Sequence, residues 1–154
     1  GFKQRSAEIR TLIEIYKKRS EEFPSSLFFV TGDFNGNAQA ENTDREFRPL
    51  YAETSLKDLF EWQELPPEQR RTASFFDKQN NLLEPQDLQF DYLFFSPHER
   101  PYVDLANSGR VHFFNEKGQV LPFPHNPQAK MAMPSDHSPI LCQLQHLDNL
   151  FAQG

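Results

Sequence analysis

Residues 27 to 37, LFFVTGDFNGN, constrain the fold more tightly than any other stretch of this chain. Leu27, Phe28, Phe29 and Val30 run into Thr31, Gly32 and then Asp33-Phe34-Asn35-Gly36-Asn37. A short apolar run bounded by turn residues reads as a buried strand, here over 27–31. This one ends in a carboxylate and two amides, with glycines on both sides. Loops just past the carboxyl end of buried strands commonly hold functional groups. Two residues apart, Asp33 and Asn35 can project to the same side. Gly32 and Gly36 permit a tight turn or the close approach of a ligand. The competing reading is an Asx-turn, in which Asp or Asn bonds its own backbone.

Around this stretch the pattern is helical first and β-prone later. Residues 4–22 carry Ile9, Leu12, Ile13 and Tyr16 at helical spacing, and Pro24 closes the segment. Residues 43–53 read as a second, short helix with Thr43 as N-cap and Glu46 three residues on. SLKDLFEWQEL (55–65) reads as a short helical or irregular piece ended by Pro66-Pro67. TASFF (72–76), LQFDYLFFS (88–96) and YVDLANSGRVHFF (102–114, with a break at Ser108-Gly109) read as strands. Residues 118–136 carry four prolines and read as a long irregular loop, and SPILCQLQHL (138–147) as a closing strand. Helix and strand alternate early and strands dominate late, which makes an α/β domain with a mixed sheet the natural class.

Two further places set polar groups where apolar neighbours are expected. Asp91 interrupts QFDYLFF and shares a strand face with Leu93 and Phe95. A buried lone carboxylate is very costly, so Asp91 either has a partner or lies on a solvated sheet face. In PSDHSPI, Asp136 and His137 are adjacent. In extended backbone they point to opposite sides and can serve two partners around one substrate. Loop capping with an incidental histidine is the plainer alternative.

Taken in order, GDFN (32–35), FDYLFF (90–95) and SDH (135–137) resemble the three C-terminal motifs of the endonuclease/exonuclease/phosphatase superfamily. That group includes apurinic endonucleases, deoxyribonuclease I-like nucleases, deadenylases, inositol polyphosphate 5-phosphatases and sphingomyelinases. The resemblance implies a four-layered α/β sandwich, two packed mixed β-sheets flanked by helices, and Mg²⁺- or Mn²⁺-assisted hydrolysis of a phosphate ester. It implies that Asp33 holds or activates the attacking water and that Asn35 orients it or contacts phosphate. Asp136 would be a metal ligand. His137 would donate to a phosphate oxygen, with Asp91 paired to its ring. The substrate stays open among nucleic acid, nucleotide, inositol phosphate and phospholipid.

The resemblance covers only the C-terminal portion of such a domain. The earlier motifs, a strand-end asparagine and a glutamate metal ligand, are missing. Glu8, Glu14, Glu21 and Glu22 fall in a surface helix, and Glu41 follows the GDFN motif. Residues 1–154 are therefore expected to form the C-terminal part of one domain whose N-terminal half comes from elsewhere, by a partner segment or self-association. Alone, the chain is expected to show no turnover. The alternative function is a non-catalytic binding module or pseudo-enzyme that keeps the scaffold. The gap between Asp91 and Asp136 is long for the compact apurinic-endonuclease branch. Its inserted piece, with His112, His125 and Phe-Pro pairs, either lines the substrate site or is surface elaboration.

Bulk properties bound the partners. A net charge of −6 and a pI near 5.3 argue mildly against a long nucleic-acid substrate, although a bound cation inverts the local field. No apolar run approaches the roughly 20 residues that span a bilayer, and residues 1–20 lack the apolar stretch of a signal peptide. The single cysteine, Cys142, excludes an intrachain disulfide. A soluble protein is expected, with the compartment open and the cytoplasm slightly favoured.

Overall fold

A computed structural model describes residues 1–77, 82–124 and 126–152. The chain is a mixed helix-and-strand structure with small antiparallel sheets. Helix α1 (Phe2–Glu22) is the long amphipathic segment read from the sequence. Its Ile9 and Ile13 are buried, and Leu12 and Tyr16 pack beside them. Strand β1 (Val30–Asp33) pairs antiparallel with β5 (Asp91–Phe95), which in turn pairs with β2 (Lys57–Asp58). The side chains of β5 alternate. Tyr92 and Phe94 join Ile9, Ile13, Phe47 and Leu50 under α1, while Leu93 and Phe95 pack with Leu59 and Val103 on the other face. Covering both faces of one central strand explains its nearly continuous apolar sequence.

Several elements fall differently from the sequence reading. The first strand is Val30–Asp33, not 27–31, so Asp33 lies within the sheet and not in a loop beyond it. The 43–53 segment splits into a 3₁₀ turn (Arg45–Phe47) and α2 (Arg48–Glu53). Thr43 does not cap it; its hydroxyl donates to the Gln39 carbonyl. Pro49, which lacks an N–H, is tolerated only in a first turn, so α2 starts beside it. Residues 55–65 yield β2 and α3 (Leu59–Trp62), with Asp58 as N-cap.

Residues 88–96 are not one strand. β3 (Ala73–Asp77) pairs with β4 (Leu82–Leu88), the chain turns at Gln89-Phe90, and β5 begins at Asp91. Residues 102–114 give only 3₁₀ turns and β6 (Gly109–Arg110), because Asp104 caps a turn over Leu105–Asn107. The proline-rich loop contains α4 (Pro127–Met131), capped by Asn126 Oδ1, which accepts from Ala129 N at 2.7 Å. The closing strand shrinks to β7 (Ile140–Leu141), paired with β6, and α5 (Asp148–Phe151) follows. Every described sheet pairing is antiparallel, where a mixed sheet was expected. No described helix is long and apolar enough to cross a membrane.

Candidate active site

Asp33 and Asp91 lie directly opposite each other across the β1–β5 ladder. Phe34 N donates to Phe90 O at 2.7 Å, which fixes the hydrogen-bonding phase. The Asp33–Asp91 pair is therefore of the non-hydrogen-bonded kind, where cross-strand side chains come closest. His137 enters from the loop before β7, and its Nδ1 lies 2.8 Å from Asp91 Oδ2. One ligand atom each from Asp33, Asp91 and His137 lies within 4.8 Å of the others. The Phe90 ring stands beside the imidazole, at 6.4 Å between centroids.

The structure thus brings three of the five residues together. Asn35 is exposed, at φ 48°, and its backbone N–H donates to Asp33 Oδ1 at 2.8 Å. This is the Asx-turn that competed with the functional reading, and it leaves Asp33 Oδ2 without a protein donor among the described residues. Asn35 and Asp33 also border a cleft of about 240 Å³ that includes Arg5. The tight turn needs a glycine at 36, since a Cβ there would stand 2.7 Å from the Phe47 ring. Asp136 is outside the group. Its carboxylate is 3.2 Å from Lys130 Nζ, and this hydrogen bond holds its carboxyl below the ordinary range. No glutamate joins the group among the described residues.

Compared with family models, with curated proteins and with solved structures, the chain matches none.

Sequence reasoning did not single out Thr72, which assembles the site. Fully buried, its Oγ1 accepts from Phe90 N at 3.1 Å and Asp91 N at 3.0 Å, and its carbonyl accepts from Ser138 N at 2.7 Å. One residue therefore ties the start of β5 to the residue after His137, and so sets the Asp91–His137 separation. Thr72→Val keeps the shape but leaves the half-buried Phe90 and Asp91 N–H groups unpaired. It is expected to cost about 2 kcal/mol in a urea titration, while Thr72→Ser retains most of the stability. The Phe90 and Asp91 amide resonances should shift in the valine variant only. Equal stability of the two variants would show that the hydroxyl does not hold this junction.

The donor set suits a hard cation. Mg²⁺ takes one or two carboxylates and completes its shell with water and phosphate oxygens, and Mn²⁺ also accepts imidazole. Asp33 and Asp91 offer two such carboxylates, and the acidic pair lacks a Lys or Arg partner among the described residues.

Proposed function

We propose that this chain carries part of the catalytic centre of a divalent-metal-dependent hydrolase of phosphate esters, a member of the endonuclease/exonuclease/phosphatase superfamily. The observation that carries this reading is the Asp33–Asp91 cross-strand pair with His137 hydrogen-bonded to Asp91. Like charges directly opposite on a sheet repel. Such a pair persists at lower cost where a bound cation supplies positive charge.

Asp33 and Asp91 are the carboxylates that would hold Mg²⁺ or Mn²⁺ in this conformation. When bound, the cation polarises the phosphoryl group and offsets its negative charge. Asp33 Oδ2 would accept a hydrogen bond from the attacking water. The Asn35 amide would orient that water or donate to phosphate. His137 Nδ1 faces Asp91, which leaves Nε2 to donate to a non-bridging oxygen, with Asp91 fixing the ring. For Asp136 to become a metal ligand it must exchange Lys130 for the cation.

In this reading the β1–β5–β2 sheet is one part of a four-layered α/β sandwich. A further segment or a second copy would complete it and bring the missing glutamate. A second reading, a binding module without turnover, draws support from the Asp136–Lys130 pair and the Asx-turn on Asp33.

The test is hydrolysis of a generic phosphodiester by the longest native form, with Mg²⁺ or Mn²⁺. The panel adds single-stranded nucleic acid, an abasic duplex, an inositol polyphosphate and sphingomyelin. Activity is expected on at least one class and is expected to vanish with EDTA. Asp33→Asn should weaken Mn²⁺ binding followed by electron paramagnetic resonance. Inactivity on every class, with Mn²⁺ binding untouched by Asp33→Asn, would favour the non-catalytic reading.

A further inference from the structure

A polar cleft of about 660 Å³ opens between α3 and the segment around β6. Trp62, Gln63, Arg100, Arg110 and His112 line it, and Glu64 is the one carboxylate on its described wall. Its volume is in the range of ordinary ligand sites. The geometry points to this cleft as a phosphate-binding site, distinct from the Asp33–Asp91–His137 group, with Arg100 and Arg110 as its anion-binding residues.

Three observations converge. The first is uncompensated charge in a chain whose net charge is −6. Neither Arg100 nor Arg110 has a carboxylate partner among the described residues. The second is the state of Arg110. Its Nη1 donates to the Arg71 carbonyl at 2.7 Å, while its Nε is buried without an acceptor. Both Arg110 and Arg71 stack on Phe123, at 4.3 and 4.4 Å from the ring centroid. Burial and the neighbouring Arg71 guanidinium both disfavour the Arg110 charge. An anion in the cleft would offset that cost, and the guanidinium fork matches phosphate geometry.

The third is a rigid, shaped wall. Gln63 Nε2 donates to Leu105 O at 2.8 Å and Ser108 O at 2.9 Å. Trp62 Nε1 donates to Phe95 O at 3.2 Å, and its ring stacks on Phe95. A wall held in this way costs little further ordering when a ligand enters. Of the two histidines in the inserted piece, His112 lines this cleft, and His125 lies outside the described residues.

The chain's single tryptophan sits in the cleft wall and reports on it. Inorganic pyrophosphate, titrated into the full chain in EDTA, is expected to change Trp62 emission saturably and to give a matching heat of binding. Arg100→Ala and Arg110→Ala are each expected to weaken binding about tenfold or more, as loss of a charged hydrogen bond does. His137→Ala is expected to bind as the wild type does. Should Arg110→Ala fail to fold, because Arg110 also stacks on Phe123, Arg100→Ala carries the test alone.

No saturable response, or affinity unchanged in Arg100→Ala, would overturn the site. Loss of binding in His137→Ala would place the phosphate at the Asp91–His137 pair instead, overturning the cleft and leaving the proposed hydrolase untouched.

Discussion

Asp58→Ala is expected to destabilise the fold at every pH, and by more at pH 4 than at pH 7. Asp58 is 2% exposed and joins four pieces of the chain. Its Oδ2 accepts from Phe60 N at 3.2 Å, as the cap of α3, and from Gln89 Nε2 at 2.8 Å. Its Oδ1 accepts from Leu93 N at 3.1 Å in the middle of β5. Alanine leaves all three donors buried and unpaired, at about 1–3 kcal/mol each, with neighbours that do not add fully. A loss of about 4 kcal/mol near pH 4 follows.

The pH dependence comes from burial, which pushes the Asp58 carboxyl from 3.8 up to about 6 despite the three donors. With the folded value raised, the folded state binds the proton more tightly than the unfolded chain. This group's contribution is therefore full below pH 4 and is lost as pH rises through 6. A shift of that size corresponds to on the order of 3 kcal/mol. The stability gap between wild type and Asp58→Ala should narrow across this window by up to that amount. Urea midpoints at pH 4, 5, 6 and 7 measure it, and a gap independent of pH would show that burial does not govern this carboxyl.

What could be read from the sequence depended on how far the deciding contact lay along the chain. Helix α1 was legible because Ile9, Leu12, Ile13 and Tyr16 repeat within a few residues. The break at Gln89-Phe90 was not, because the acceptor that captures the Phe90 and Asp91 amides belongs to Thr72, in a segment on the far side of β3 and β4. The strand read over 102–114 failed for a local reason, since Asp104 bonds Asn107 N and turns the chain. Within the site, the cost of burying Asp91 left two readings, a partner or a solvated sheet face, and His137 lies against it. Lys130 beside Asp136 carried no signal, because it sits on α4, a helix hidden among four prolines.

Asp91 and His137 are expected to behave as one unit in the proposed reaction. Each of Asp91→Ala and His137→Ala should lower kcat of the active form by about 100-fold or more, the range for a positioned acid or base. The double variant should be little worse than the poorer single. The geometry gives the reason. Without Asp91, nothing described fixes the imidazole, whose Nδ1 has no other hydrogen-bond partner among the described residues. Without His137, the Asp91 carboxylate loses its only side-chain partner among the described residues and faces Asp33 directly across the ladder. Either loss removes the oriented donor and alters the charge at the pair, so the second deletion has little left to remove. Asp91→Asn separates these effects. It keeps a hydrogen-bond acceptor for Nδ1 without the carboxylate charge opposite Asp33, and should retain more activity than Asp91→Ala. Strictly additive losses in the cycle would show that the two residues act apart, and would remove the positioning role from Asp91.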